Sequence, residues 1–288
     1  MMATVIPDTL RMVVADAVGR PTRLRRVLSQ IAPPTLAELR SPPTIDGARI
    51  PAWDRFMDGD PLMTGAGPSG RDHSRLRQTH VPEWTELITR KRCNRIIDIR
   101  DVGVLGASRT DLNDYTSLSE LARTERPSLL DGATPDTIEE LLAVDEIRIT
   151  QGPNKSSDFM QRASWDGRIE LCNAGGSRRF AVAHCIAQTL GVTRPLSVRF
   201  VDLTVNCEAL AALMARFEIY ILPSGPVHLE WRAAMDAFGA TWYWRDAPPP
   251  LRNYKLICLP HNDSRAQAVA QCVDEAGFPR LADALACP

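Results

Sequence analysis

The sequence predicts an α/β (α+β) fold, a mixed sheet with flanking helices, on three observations. Beyond residue 195, stretches that read as strands alternate with stretches that read as helices, which favours a layered architecture over separate all-helical or all-strand units. Asp166-Gly167 sits between two alternating runs, at 159–165 and 168–173, as a β-hairpin requires. Directly after that hairpin come Gly175, Gly176 and Ser177, and then an amphipathic stretch that stops at Gly191.

The composition agrees with a folded chain. Its 288 residues are 44% hydrophobic and 24% charged, ordinary values for a globular protein of one large domain or two small ones. Seven cysteines are scattered without a C-x-x-C pair, so reduced thiols in a cytoplasmic protein are expected, not a disulfide framework. No apolar run approaches the roughly 18 residues of a membrane span. Arg11 and Asp16 interrupt the only apolar stretch near the start, so no signal peptide is expected either. Charge is uneven: residues 1–95 hold 15 Lys and Arg against 10 Asp and Glu, and residues 96–288 hold 19 against 25. A mildly basic leading segment suits nucleic acid or an acidic partner, and equally a plain solvated surface.

Three segments are expected: a partly irregular N-terminal extension at 1–82, a core at 83–195, and a C-terminal α/β extension at 196–288 packed on that core. In the first, helices are expected at 7–19 and 22–31, separated by Arg20-Pro21, and Pro33-Pro34 and Pro42-Pro43 punctuate the chain beyond them. Residues 58–70 read as a loop, residues 1–80 as separable, and His73 and His80 as surface residues. In the core, Trp84, Leu87 and Ile88 have helical spacing. Strands are expected at 95–99, 102–105, 146–150, 159–165 and 168–173, and helices at 115–122 and 137–142. The helix ending at Gly191 carries an apolar stripe of Phe180, Ala183, Ala187 and Leu190. Beyond it, strands at 196–205, 218–222, 241–244 and 255–259 alternate with helices at 208–217, 228–238 and 264–276. Trp231, Trp242, Tyr243, Trp244 and Tyr254 lie near Arg232, Arg245 and Arg252; such aromatics can stack on single-stranded bases, but core packing explains most of them.

The candidate active element is Gly175-Gly176-Ser177-Arg178-Arg179. A helix start offers unpaired N–H groups and the positive end of its dipole. Adjacent glycines admit positive φ and the close approach of an anion. Ser177 can cap the helix or donate to a phosphate oxygen, and Arg178 and Arg179 have the forked charge that matches phosphate. Together these form a nucleotide-phosphate cradle; the alternative is an ordinary helix start with two solvated arginines. The string is not a Walker A loop, which needs a Lys at fixed spacing, nor a dinucleotide fingerprint, which needs a third glycine.

Gly176-Ser177-Arg178-Arg179-Phe180-Ala181-Val182-Ala183 resembles the G-E-R-R-x-x-A box of the ParB/sulfiredoxin superfamily, and Gly175 to Phe180 resembles the G-G-C-H-R-Y segment of sulfiredoxins. Ser177 stands where sulfiredoxins place their catalytic Cys, and Cys172 and Cys185 are wrongly placed to replace it, which argues against sulfinic acid reduction. ParB proteins carry Glu at that position and a later E-N-x-x-R motif; both are missing, which argues against a CTP-gated clamp on DNA. Residues 98–104, Ser108-Arg109-Thr110-Asp111-Leu112-Asn113-Asp114-Tyr115 and Trp165-Asp166-Gly167-Arg168, in that order before the box, resemble plasmid fertility-inhibition factors of the Osa and FiwA type. That resemblance implies a ParB/sulfiredoxin-like sheet, ATPase and DNase activity, and a block on conjugative DNA transfer.

Residues and resemblance together set the expected site. Arg178, Arg179 and Asp166 take catalytic roles; Gly175, Gly176, Ser177, Arg178, Arg179 and Arg109 hold ATP. Asp111 and Asp114, three residues apart, hold Mg²⁺, with a cap or turn role as the alternative for each; Asp158 is a further carboxylate. His184 is either a base near the phosphates or a packed residue. The expected function is fertility inhibition, with hydrolysis of ATP and of DNA such as T-DNA or relaxosome DNA, directed against a type IV secretion or coupling component. A non-catalytic inhibitor of that component and a secreted antibacterial nuclease-type effector are the rival readings.

Overall fold

The computed structural model of the chain describes residues 8–66 and 77–285. In chain order the helices are α1 Asp8–Ala17, α2 Thr22–Leu28, α3 Leu36–Arg40, α4 Glu83–Glu86, α5 Leu118–Glu125, α6 Pro135–Leu142, α7 Ser177–Leu190, α8 Cys207–Arg216, α9 Pro226–Phe238, α10 Ser264–Glu275 and α11 Leu281–Leu285. The strands are β1 Leu62–Ala66, β2 Arg77–His80, β3 Ile88–Asp98, β4 Val102–Leu105, β5 Phe159–Ala163, β6 Ile169–Cys172, β7 Pro195–Val205, β8 Phe217–Pro223, β9 Trp242–Asp246 and β10 Tyr254–Pro260. The protein is of the α+β class, with its strands in two sheets. No described helix is long and apolar enough to cross a membrane.

Two compact units divide the chain. One comprises Arg40–Asp54 and Ile88–Val205, the other Met1–Leu39, Arg55–Leu87 and Asn206–Pro288. This replaces the expected three-segment order, because the N-terminal stretch is not an appendage. Ile45 lies in the core of the first unit, and Leu24 and Leu28 of α2 lie in the core of the second beside Trp231 and Phe238. Apolar side chains at helical spacing drew that segment inward despite its proline pairs.

The first unit holds a mixed sheet ordered β3-β7-β5-β6-β4. β5 and β6 form the hairpin expected through Asp166-Gly167, with Phe159 opposite Cys172 and Arg162 opposite Ile169. β4 runs parallel to β6, and β5 runs parallel to β7. α7 is buried beyond the stripe that its sequence suggests, because it packs against both α5 and α6 and against the 3-10 turn Ile99–Asp101. Phe180, Ala181, Val182, Ala183 and Ala187 are fully enclosed, whereas Leu190 at the helix end is 43% exposed. β3 is an edge strand and much longer than the strand expected at 95–99. Its polar text from Thr89 to Arg95 hides it, since an edge strand tolerates, and benefits from, charged residues.

In the second unit the sheet is antiparallel and ordered β2-β1-β9-β10-β8. Trp242 stacks on Trp244 at 5.1 Å between ring centroids and meets Trp231 edge-on at 5.6 Å, so the aromatic cluster is core, with Arg232 lying over Trp244. β1 falls within the stretch expected to be a loop. Its Gly65 lies so close to Tyr243 and the Trp242 carbonyl that no Cβ would fit, so pairing with β9 decides its conformation where local propensity is weak.

Three smaller expectations change. Residues 146–150 are not a strand: a 3-10 helix, Arg148–Gln151, starts directly after Ile147, and Ile147 and Ile149 are both buried, which imitates strand alternation. Ile88 begins a strand and does not extend α4. Cys207 is disulfide-bonded, whereas Cys93, Cys172, Cys185, Cys258 and Cys272 carry free thiols, so the expectation of reduced thiols throughout does not hold. His80 is exposed, as expected; Pro7, residues 67–70 and His73 lie outside the described residues.

Candidate functional site

Parallel strands deliver their following loops to the same edge of a sheet, and ligand crevices form there. β4 and β6 are such a pair, so the loop at 106–109 and the turn at 173–176 emerge side by side, joined by a hydrogen bond from the Gly106 amide to the Leu171 carbonyl at 2.8 Å. Between them opens a cavity of about 670 Å³. Its lining includes Ala107, Ser108 and Arg109 from the first loop and Ala174, Gly175 and Gly176 from the second; Ser177, Arg178 and Arg179 add the first turn of α7. Arg126, just past α5, and Asp145, Glu146 and Arg148, past α6, complete it.

The turn has its shape for identifiable reasons. Gly176 is the N-cap of α7 in the left-handed region, at φ 76°, and no side chain caps the helix. A Cβ there would stand 2.6 Å from Ile147 Cγ1 and 3.1 Å from the Glu146 carbonyl oxygen, so only glycine fits. Ser177 does not offer its hydroxyl to the cavity. The hydroxyl is buried, donates to the Ala107 carbonyl, and accepts from Asn173 Nδ2 at 2.8 Å. Asn173 Nδ2 also donates to the Gly175 carbonyl at 2.6 Å. Ser177 is therefore a clasp between the two loops, not the cap or phosphate donor that the sequence suggests.

Five arginines and two carboxylates line the cavity. Arg178 faces Glu125 at 3.6 Å, Arg179 bonds Glu146 at 3.0 Å, and Arg148 faces the buried Asp158 at 3.4 Å. Glu125 is held ionised: hydrogen bonds from the Tyr115 hydroxyl and from Thr110, then the nearby Arg178, keep its carboxyl below the usual range. The side chains of Arg109 and Arg126 carry no ion pair or hydrogen bond among the described residues.

The expected site is thus partly assembled. Gly175, Gly176, Arg178, Arg179 and Arg109 meet in one cavity. Asp166 does not join them. Its carboxylate is sealed within the hairpin turn, bound by Arg168 Nε at 3.0 Å and Nη2 at 2.7 Å, and has no free face for catalysis. Asp111 and Asp114 also miss the cavity, and Asp111 Oδ1 accepts from the Asn113 amide at 3.0 Å, which makes it the cap of a 3-10 turn, Leu112–Asp114, instead of a metal ligand. The carboxylates among the described residues that line the cavity are Asp145 and Glu146. His184 packs against the backbone at Arg100 and Val102, and burial holds it below the ordinary imidazole value, so it is neutral and lines no part of this cavity. Arg126, Asp145, Glu146 and Arg148 escaped the sequence reading because they sit in connecting turns whose place depends on how α5 and α6 pack on α7.

Fold and site together define an α+β protein with an arginine-lined cavity at the ends of two parallel strands. The chain belongs to DUF6685, a family of unknown function whose model matches residues 91–287 and so includes the whole cavity lining. No curated protein and no solved structure matches it.

Proposed function

We propose that the protein binds a nucleotide by its phosphates in this cavity. The observation that carries the reading is that five arginines line one cavity together with the first turn of α7, which no side chain caps. A volume of about 670 Å³ is in the range that holds a mononucleotide. The resemblance to Osa and FiwA fertility-inhibition factors supplies the setting: a ParB/sulfiredoxin-like protein that hydrolyses ATP, cleaves DNA with Mg²⁺, and blocks conjugative transfer in the cytoplasm. Isothermal calorimetry with ATP, with and without Mg²⁺, together with ATPase and nuclease assays on the full chain, tests this. Micromolar binding with turnover supports it, and no binding of any nucleotide defeats it.

The sealed state of Asp166 favours a second reading, in which binding proceeds without hydrolysis and the protein acts by occupying a type IV secretion or coupling component. Binding without turnover in the same assays selects that reading.

A further inference from the structure

The cavity lining narrows the ligand class, on the footing of the nucleotide-phosphate reading above. Every described residue lining the cavity is charged or is Ala, Gly or Ser. A base held by its face needs an aromatic or broad aliphatic surface, and a base read at its edge needs fixed donors and acceptors such as amides. Neither kind of side chain is among these residues. A guanidinium plane can stack on a base, but every base has a π-face, so that contact does not choose between them.

The arginines are also unequal. Arg148, Arg178 and Arg179 already face carboxylates, whereas Arg109 and Arg126 face none among the described residues and line the cavity from separate segments. An arriving anion has no carboxylate to displace when it meets a guanidinium group without an ion pair, so those two are the stronger grips. We propose that the cavity holds a polyphosphate chain chiefly through Arg109 and Arg126 and leaves the base unread. Its ligands are then nucleoside triphosphates of any base and inorganic tripolyphosphate alike.

Calorimetry on the full chain with tripolyphosphate, ATP, GTP, CTP and adenosine tests this. The four phosphate ligands are expected to bind within about threefold of one another, and adenosine not at all. Arg109→Gln and Arg126→Gln should each weaken tripolyphosphate binding by about tenfold without moving the melting transition. A preference of about tenfold or more for one base, or ATP binding without tripolyphosphate binding, overturns the inference and leaves the nucleotide reading standing. Loss of affinity in Arg178→Gln with none in Arg109→Gln or Arg126→Gln overturns the choice of grips. Failure of all five ligands to bind overturns both the inference and the reading on which it rests.

Discussion

The Ser177 hydroxyl donates to the main-chain carbonyl of Ala107, which ties the first residue of α7 to the loop that follows β4. It also accepts from Asn173, so one buried oxygen joins three segments. Removing it leaves the Ala107 carbonyl and the buried Asn173 amide each one partner short. Ser177→Ala is expected to destabilise the fold by about 1–3 kcal/mol, above the ~1 kcal/mol of an exposed helix cap. Urea denaturation checks this, and a loss below ~0.5 kcal/mol would mean that water takes over the clasp.

The two glycines of the turn should respond differently. Gly176 is at φ 76° with Ile147 in the place of a Cβ, whereas a Cβ on Gly175 would find only the Glu146 carbonyl oxygen, at an ordinary 3.7 Å. Gly176→Ala is expected to cost upwards of about 1 kcal/mol from backbone strain and displacement of Ile147. Gly175→Ala should stay within about 0.5 kcal/mol. Thermal melts of the two variants side by side give the comparison, and equal losses would contradict it.

Glu146 holds Arg179 across the cavity mouth at 3.0 Å, with both side chains well exposed. An exposed pair of this kind is weak, so freeing the arginine gains little by itself, but it also removes a negative charge from an anion's path. Glu146→Gln is expected to raise nucleotide affinity by roughly two- to fivefold and to steepen its decline with salt. Calorimetry at two ionic strengths reads both. A weaker complex would instead mean that Glu146 contacts the ligand or its cation.

The residues that announced themselves in sequence are those whose geometry is local. Asp166-Gly167 predicts its own hairpin, and Gly175 to Arg179 predict a turn and a helix, because φ preferences and alternation act within a few residues. The features that could not be read depend on packing. Ile147 and Ile149 alternate like a strand but stand at the start of and within a 3-10 turn, since burial of both residues suits either shape. Asp166 looked available because its partner Arg168 two residues on reads equally well as a free charge. Arg126 and Glu146 joined the site only because α5 and α6 both pack on α7 and bring their ends to its start.

Glu170 gives the protein a stability that depends on pH in a defined direction. It lies on β6, 8% exposed, with Oε2 accepting from Gln161 Nε2 at 2.7 Å. Burial pushes its carboxyl above the ordinary value of 4.5, against the opposing hydrogen bonds from Gln161 and Cys172. Between that ordinary value and the raised one, the folded chain keeps a proton that the unfolded chain has released. Folded molecules then bind more protons than unfolded ones, so stability falls as pH rises through that window and levels off above it. Glu170→Gln keeps the shape and the bond to Gln161 but cannot ionise. The stability of this variant relative to the parent is expected to grow from pH 4.5 towards neutrality and then to hold constant. Glu125, whose lowered value removes stability as pH falls, is shared by both proteins and cancels in the difference. Urea unfolding of the pair across this pH range reads the difference directly. A difference that stays flat with pH would mean that Glu170 ionises in the folded protein as readily as it does in water.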